Sequence, residues 1–520
     1  MKRKDKDLES KKELTKDLYK DDISKIAKNA GISGFGEIIA NIIGYTSNVL
    51  MTRVIGPNLF GIYVLASTIL RVSGIFAVAG LNSGFIRFIA LYQGSGDRAR
   101  LKGVILFGTK VVGMLSLTLF LICFFSSNVI STRIFHNSDL SLVLKILLIS
   151  LPFTALMTLW LGGIQGFQMI KYRVLVEKLF QPLSRLIFLI IFFLLGMKLF
   201  GVILSSVLSV FVGVLFAFWY LNKIFPFHKH QLVPVYEKKK LITFSLPVTF
   251  VEFFFCIQRW IGILMLGYFA TPKDVGIFGA VDRVLPLVSL PLESINVIFS
   301  PMISSLYGEK ALSKLENLFK METKWAISLS LPFFLSLSIF ARPTMNIFGS
   351  SFTEGATVLV ILSAAQMVRV GVGSTGPMLM MTGHQRISLA NTFCTALIAI
   401  TLNYFLIPRY GIIGAAVANA ISVIVINIAE ITQIYYLFNI HPFRADILKP
   451  LVAGIFTTLI FLFILKSEFI SLNQYNIFLL GALFVLFFLI YFLSLFALKL
   501  SGEDTLILKL LLKKLGITRA

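Results

Sequence analysis

Eight basic residues fall inside long apolar stretches of this chain: Arg53, Arg71, Lys110, Lys145, Arg185, Arg259, Arg283 and Arg369. Five carboxylates do the same: Glu37, Glu252, Asp282, Glu293 and Glu430. An ionised group at mid-membrane costs about 2.5–3.5 kcal/mol on insertion scales, so each must face a cavity or a partner rather than lipid. A guanidinium binds phosphate oxygens through its planar fork and keeps its charge when desolvated. A cavity with surplus arginine therefore suits a diphosphate. Arg71, Arg185, Arg259 and Arg369 lie near the middle of their stretches. Arg53 sits at an outer end, where a gate or an interface anchor is expected. Lys110 and Lys145 lie near helix ends and can snorkel to the interface.

Two readings of these charges stand side by side. Arg71, Arg259 and Arg369 have few carboxylates nearby in sequence, which favours substrate contact. Arg283 adjoins Asp282, and Glu252 and Arg259 are seven apart on one helical face, so a cross-helix charge network is the alternative. Glu37 and Glu252 are separated by 215 positions. Each can bind a proton or Na⁺, gate by pairing with arginine, or act as a carboxylate near a helix N-terminus. Asp282 and Glu293, eleven apart, offer a second path for a coupling cation. Pro247, Pro286, Pro291 and the run Gly371, Gly373, Gly376, Pro377 interrupt spans and are candidate bending points.

The elements that must position these groups are membrane helices. Hydrophobic residues make up 57% of the chain and charged residues 14%, well under the roughly 25% charged of a soluble domain. Fourteen apolar stretches are long enough to cross a bilayer: 31–55, 59–81, 103–127, 139–163, 174–197, 199–222, 241–267, 275–300, 324–348, 356–382, 387–407, 412–437, 448–466 and 475–498. Apart from the eight basic residues above, 34 Lys/Arg fall on the side of the N-terminus against 6 on the other. That asymmetry places both termini in the cytoplasm. The net charge of +23 then implies anionic lipid rather than nucleic acid as the partner of the basic face.

The chain is internally duplicated. Gly56-Pro57-Asn58-Leu59-Phe60-Gly61-Ile62-Tyr63 returns as Thr271-Pro272-Lys273-Asp274-Val275-Gly276-Ile277-Phe278, 215 positions later. Arg133-Ile134-Phe135 matches Asn346-Ile347-Phe348, Gln165-Gly166 matches Thr382-Gly383, and Gly201 of Lys198–Val202 matches Gly411 of Pro408–Ile412. The expected organisation is a basic arm (1–30), a six-helix N-lobe (31–222), a cytoplasmic linker (223–240), a six-helix C-lobe (241–437), two further helices (438–498) and a basic tail (499–520). An even number of helices per half makes the repeats parallel. The fold class is an all-α polytopic membrane protein.

The run Arg53–Tyr63 followed by Gly80-Leu81-Asn82-Ser83-Gly84-Phe85-Ile86-Arg87-Phe88-Ile89 resembles the opening of Wzx-type polysaccharide flippases. These belong to the multidrug/oligosaccharidyl-lipid/polysaccharide exporter superfamily. The resemblance covers roughly 31–500, with the same 6 + 6 + 2 helix count. It implies flipping of a polyprenyl-diphosphate-linked oligosaccharide from the cytoplasmic to the outer leaflet of the inner membrane. It also implies polymerase or glycosyltransferase partners, and a side groove formed by the last two helices for the polyprenyl tail. A lipid II flippase and a cation-coupled drug exporter share the architecture. An integral-membrane polymerase or glycosyltransferase is the rival from another class, and the short, nearly charge-free outer loops count against it.

Three motifs are discarded. Gly371-Val372-Gly373-Ser374-Thr375-Gly376 matches a dinucleotide fingerprint, but it lies inside a helix and carries Asn391 where an acid is needed. Gly103–Lys110 is a scrambled phosphate loop. His228 and His230 are too sparse for a metal, and Cys123, Cys256 and Cys394 lie apart within apolar helices. No cofactor, metal or catalytic constellation is implied.

Overall fold

A computed structural model describes residues 2–226, 233–466 and 477–498, with side chains described from Gly36 onward except Ile38, Ile477 and Phe478. His228 and His230 lie outside the described residues. The chain is helical throughout, and no strand occurs among the described residues. The first half holds α1 (Lys2–Val78), α2 (Leu81–Gly94), α3 (Arg98–Val129), α4 (Asp139–Leu148), α5 (Leu151–Gly166), α6 (Ile170–Val174), α7 (Gln181–Leu194) and α8 (Lys198–Ile224). The second holds α9 (Lys238–Phe269), α10 (Pro272–Val284), α11 (Pro286–Gly308), α12 (Leu312–Ile339), α13 (Ala341–Asn346), α14 (Ala356–Gly371), α15 (Thr375–Met381) and α16 (Gln385–Phe438). Last come α17 (Leu448–Lys466) and α18 (Ile477–Ala497).

Among the described residues, nine helices are long and apolar enough to cross a membrane, or ten if bent α4 and α5 count as one. Fourteen stretches were expected, and two broken helices account for part of the difference. The 54 residues of α16 would extend about 80 Å at 1.5 Å per residue, far beyond a hydrocarbon core of about 30 Å. Gly411 breaks it with φ 55°, ψ −132°. Gly56, with φ 71°, ψ 176°, breaks α1 in the same way. Each of these spans is two helices joined at a kink, and each joins two of the expected stretches.

The Pro-x-x-x-Gly motifs do not themselves turn the chain. Gly56 and Thr271 do, and Pro57 and Pro272 open the helices that follow. Proline suits a first helical turn because its missing N–H has no partner there anyway. Thr271 is extended and caps α10 reciprocally with Asp274.

The duplication is also written in the backbone. Left-handed residues recur as the pairs Gly96 and Lys310, His136 and Gly349, Gln168 and Gly383, Gly196 and Gly411. Their separations are 214, 213, 215 and 215. This corrects two sequence pairings. Gly411 corresponds to Gly196 rather than to Gly201, and Gly383 to Gln168 rather than to Gly166. Turn conformation, not residue type, carries the register.

Two compact units result: Met1–Ile55 with Leu65–Phe253, and Gly56–Val64 with Phe254–Ala520. They do not follow the repeat boundary. In the first unit, α9 begins against α2, because Gly80 and Gly84 leave room for Ser245 and Leu241. In the same unit Gly162 and Gly166 bring α5 onto Asn82 and Ile89 of α2, a small-xxx-small approach. In the second unit, Gly454 lets α17 close on Leu331 and Leu335 of α12. Tyr491 of α18 is fully buried and donates to the Ser328 carbonyl of α12 at 3.0 Å.

Candidate functional site

A cluster of buried polar contacts in the second unit surrounds the break between α14 and α15. Gly371 ends α14, Gly373 takes φ 71°, and Thr375 starts α15. A Cβ on Gly373 would meet Thr323 Oγ1 at 2.2 Å, so glycine is required by both the conformation and the close approach. The discarded Gly371–Gly376 run is thus a seam that wedges α15 against α12.

Two carboxylates hold the seam. The Ser374 hydroxyl lies within hydrogen-bond reach of Glu322 Oε1 of α12 and of Asn296 Oδ1 of α11, and its one proton serves one of them at a time. The next hydroxyl, Thr375 Oγ1, donates to Glu430 Oε2 of α16 at 2.6 Å. Glu322, Ser374 and Thr375 are all buried. A buried hydroxyl can serve a carboxylate in this way without adding charge. Nearby, Arg369 Nη2 meets Glu293 Oε1 at 2.6 Å. Asn391 and Gln433 exchange two amide hydrogen bonds, at 2.7 and 2.8 Å, across the two limbs of α16.

Arg369 therefore does not lack a carboxylate, as its sequence surroundings suggested. Its partner lies 76 residues away, brought close by the packing of α11 on α14. Arg259, on α9, is exposed and rests over the Trp260 ring at 5.4 Å. Asp282 and Arg283 are half-buried on α10. In the first unit, Arg53 and Arg71 are exposed on α1. Arg185 of α7 is half-buried with Nη2 on Met51 Sδ at 3.3 Å. Glu252 is half-buried in the first unit's part of α9. Glu37 pairs with Lys178 at 2.7 Å rather than with an arginine. The backbone approach at Gly36, whose Cβ would meet Val174 at 2.4 Å, sets that pair.

Sequence reasoning missed Glu322. It lies two residues before the stretch that was expected to begin at 324, so it counted as a loop residue. Lys324, two positions on, is buried as well. The signal that was available is the polar run Glu322-Thr323-Lys324 abutting an apolar helix.

On its other side, α11 lines an apolar cavity of about 350 Å³. Leu290, Ser294 and Ile298, one helical face at i, i+4, i+8, form one wall, with Phe333 of α12 and Phe488 and Phe492 of α18 opposite. One helix thus presents Glu293 and Asn296 to a polar seam and a second stripe to an apolar hollow.

A family model described as "Polysaccharide biosynthesis protein" matches residues 26–307, more than half of the chain. The chain belongs to the polysaccharide biosynthesis protein family. A relative within reach of this family assignment is the capsular polysaccharide biosynthesis protein CapF of Staphylococcus aureus. It is 25% identical over 310 residues, covering 58% of this chain and 75% of the relative. The fold is that of two solved transporters. The inward closed lipid II flippase MurJ gives a TM-score of 0.69 at 15% identity, covering 91% of this chain and 99% of that one. An inward-facing multidrug resistance MATE family transporter of the MOP superfamily gives 0.67 at 16%, covering 77% and 94%.

Proposed function

We propose that this family member is a flippase that carries a polyprenyl-diphosphate-linked oligosaccharide from the cytoplasmic to the outer leaflet. The observation that carries the reading is the two-sided α11. An apolar hollow beside a charged seam suits an amphiphile with a hydrocarbon tail and an anionic headgroup. The polyprenyl chain lies in the hollow walled by α11, α12 and α18. Arg71, Arg185, Arg259, Arg283 and Arg369 attract the diphosphate, with Arg53 at the outer end of α1.

Arg369 reaches a phosphate by exchanging partners. The diphosphate displaces Glu293, and the freed carboxylate, with Glu322 and Glu430 around the seam, accepts a coupling cation. Asp282 and Glu252 extend that path, while Glu37 steadies the start of the first unit through Lys178. Fourteen crossings, both termini inside, and alternating access between two lobes complete the reading. A drug exporter is the second reading, favoured only by the shared fold; surplus guanidinium suits an anion better than a cationic drug.

The test is transport of a fluorescent undecaprenyl-diphosphate disaccharide in proteoliposomes, read by protection from an external quencher. Wild-type protein is expected to flip it. Flipping of a cationic dye instead, with none of the lipid-linked sugar, would replace this reading by the exporter.

A further inference from the structure

Glu237, the last residue before α9, joins three helix ends within the first unit. Its Oε2 accepts from the Tyr92 hydroxyl at the end of α2. Its Oε1 lies 2.9 Å from Lys240 Nζ in the first turn of α9 and 3.6 Å from Arg100 Nε in the first turn of α3. Arg100 is itself 3.5 Å from Asp97, which caps α3. Two residues earlier the chain is pinned by its backbone. Val235 N donates to the Ala99 carbonyl at 3.1 Å. The Val235 carbonyl then lies where a Cβ on Gly103 would stand, 1.9 Å away.

The beginning of α9 continues this attachment. Arg87 lies over the Phe244 ring at 4.5 Å, and Phe88 meets the same ring edge-on at 5.9 Å. Past Phe253 the same helix belongs to the second unit. The contacts at Glu237 therefore fix the entry of a helix whose remainder packs elsewhere. They are also the kind that opens readily. Ion pairs with exposed partners contribute about 0–1 kcal/mol each, and here Arg100 is 46% and Lys240 67% exposed. The Glu237 carboxyl is held below its ordinary value, chiefly by the Lys240 hydrogen bond and then by Tyr92. It is charged, and holds its partners, at neutral pH.

We propose that Tyr92, Arg100, Lys240 and Glu237 form a releasable latch on the linker, and that the latch must open in each transport cycle. The second clause rests on the flippase reading; the first does not. Two arms separate them, both on the full chain in lipid nanodiscs or proteoliposomes. Hydrogen exchange needs no substrate: Glu237→Gln and Tyr92→Phe are each expected to speed exchange of residues 233–245 at least tenfold. Lys240→Gln removes only the most exposed partner and leaves the Tyr92 bond in place, so it is expected to do so less. Exchange within twofold of wild type in all three would overturn the latch.

The locking arm uses Ala99→Cys with Val235→Cys, in protein whose three native cysteines are serine, joined by a reducible bifunctional thiol reagent. Flipping of the fluorescent undecaprenyl-diphosphate disaccharide is expected to fall at least tenfold when locked and to return on reduction. Undiminished flipping by fully locked protein would overturn the cycle step. If the unlocked protein carries none of this lipid, the flippase reading fails, and the exchange arm still decides the latch.

Discussion

Gly61 and Gly276 lie back to back in the second unit, each filling the space left by the other's missing side chain. A Cβ on Gly61 would stand 1.8 Å from the Pro272 carbonyl, and one on Gly276 would stand 2.1 Å from the Pro57 carbonyl. The two copies of the duplicated motif thus pack reciprocally, each glycine on the other copy's proline. This explains why proline and glycine are both retained in each copy at a spacing of four. Proline starts the helix, and one turn later the glycine faces the other helix start. Phe60 is fully buried beside this crossing, against Phe352.

Because the obstacle is backbone rather than a flexible side chain, Gly61→Ala and Gly276→Ala must push the helices apart. Each is expected to cost about 1–3 kcal/mol, as overpacking does. Gly44 and Gly74 have open space around them, so alanine there is expected to be neutral or to stabilise by about 0.5–1 kcal/mol. Thermal unfolding in one detergent, all four variants side by side, checks the contrast.

The Arg369–Glu293 pair separates a structural role from a binding role. Arg369→Glu is expected to lower flipping roughly 10- to 100-fold, the worth of a charged hydrogen bond. Adding Glu293→Arg restores the pair with reversed polarity. If Arg369 only braces α14 on α11, flipping returns with the double variant. The diphosphate role predicts that thermal stability returns while flipping stays low.

Much of the fold was legible because bilayer and duplication leave strong marks. Apolar stretches of crossing length marked the chain as an all-helical, many-spanning membrane protein. What was not legible is conformation that residue type does not announce. His136, Gln168 and Lys310 take left-handed backbone at turns where their counterparts are Gly349, Gly383 and Gly96. The seam was hidden for another reason. Glu322 sits at the edge of an apolar stretch, and its partners Ser374 and Asn296 come from helices far away in sequence. A short hydroxyl in a glycine-rich run reads as a helix interruption until the carboxylate it serves is seen.

The latch carries a pH signature whose sign follows from Glu237. Its carboxyl is depressed below the ordinary value of 4.5, so its contribution is full above about 4.5 and is lost as pH falls through the lower folded value. Tyr92, pushed up to about 12 chiefly by burial, stays a neutral donor throughout. Exchange protection of residues 233–245, corrected for intrinsic rates, should hold from neutral pH to about 4.5 and fall below it. In Glu237→Gln the corrected protection should be flat over the same range.

Filling the hollow beside α11 should discriminate by tail length. Ser294→Phe and Ile298→Trp place aromatic bulk in a cavity walled by Phe333, Phe488 and Phe492. Flipping of a long polyprenyl substrate is expected to drop about tenfold or more, the effect of losing about 1.4 kcal/mol of transition-state binding. A substrate with the same diphosphate and sugars on a short prenyl chain should be affected far less. Competition between the two substrates in one vesicle preparation reads the difference directly.

The proposed flippase depends on guanidinium groups set in the spans to hold the diphosphate of a lipid-linked sugar. The most direct measurement of that dependence is quencher-resolved flipping of fluorescent undecaprenyl-diphosphate disaccharide by wild type and by Arg71→Ala, Arg259→Ala and Arg369→Ala, each inserted at equal density. Flipping by wild type and a loss of roughly 10- to 100-fold in each variant are expected. Wild-type rates in all three variants would contradict that dependence.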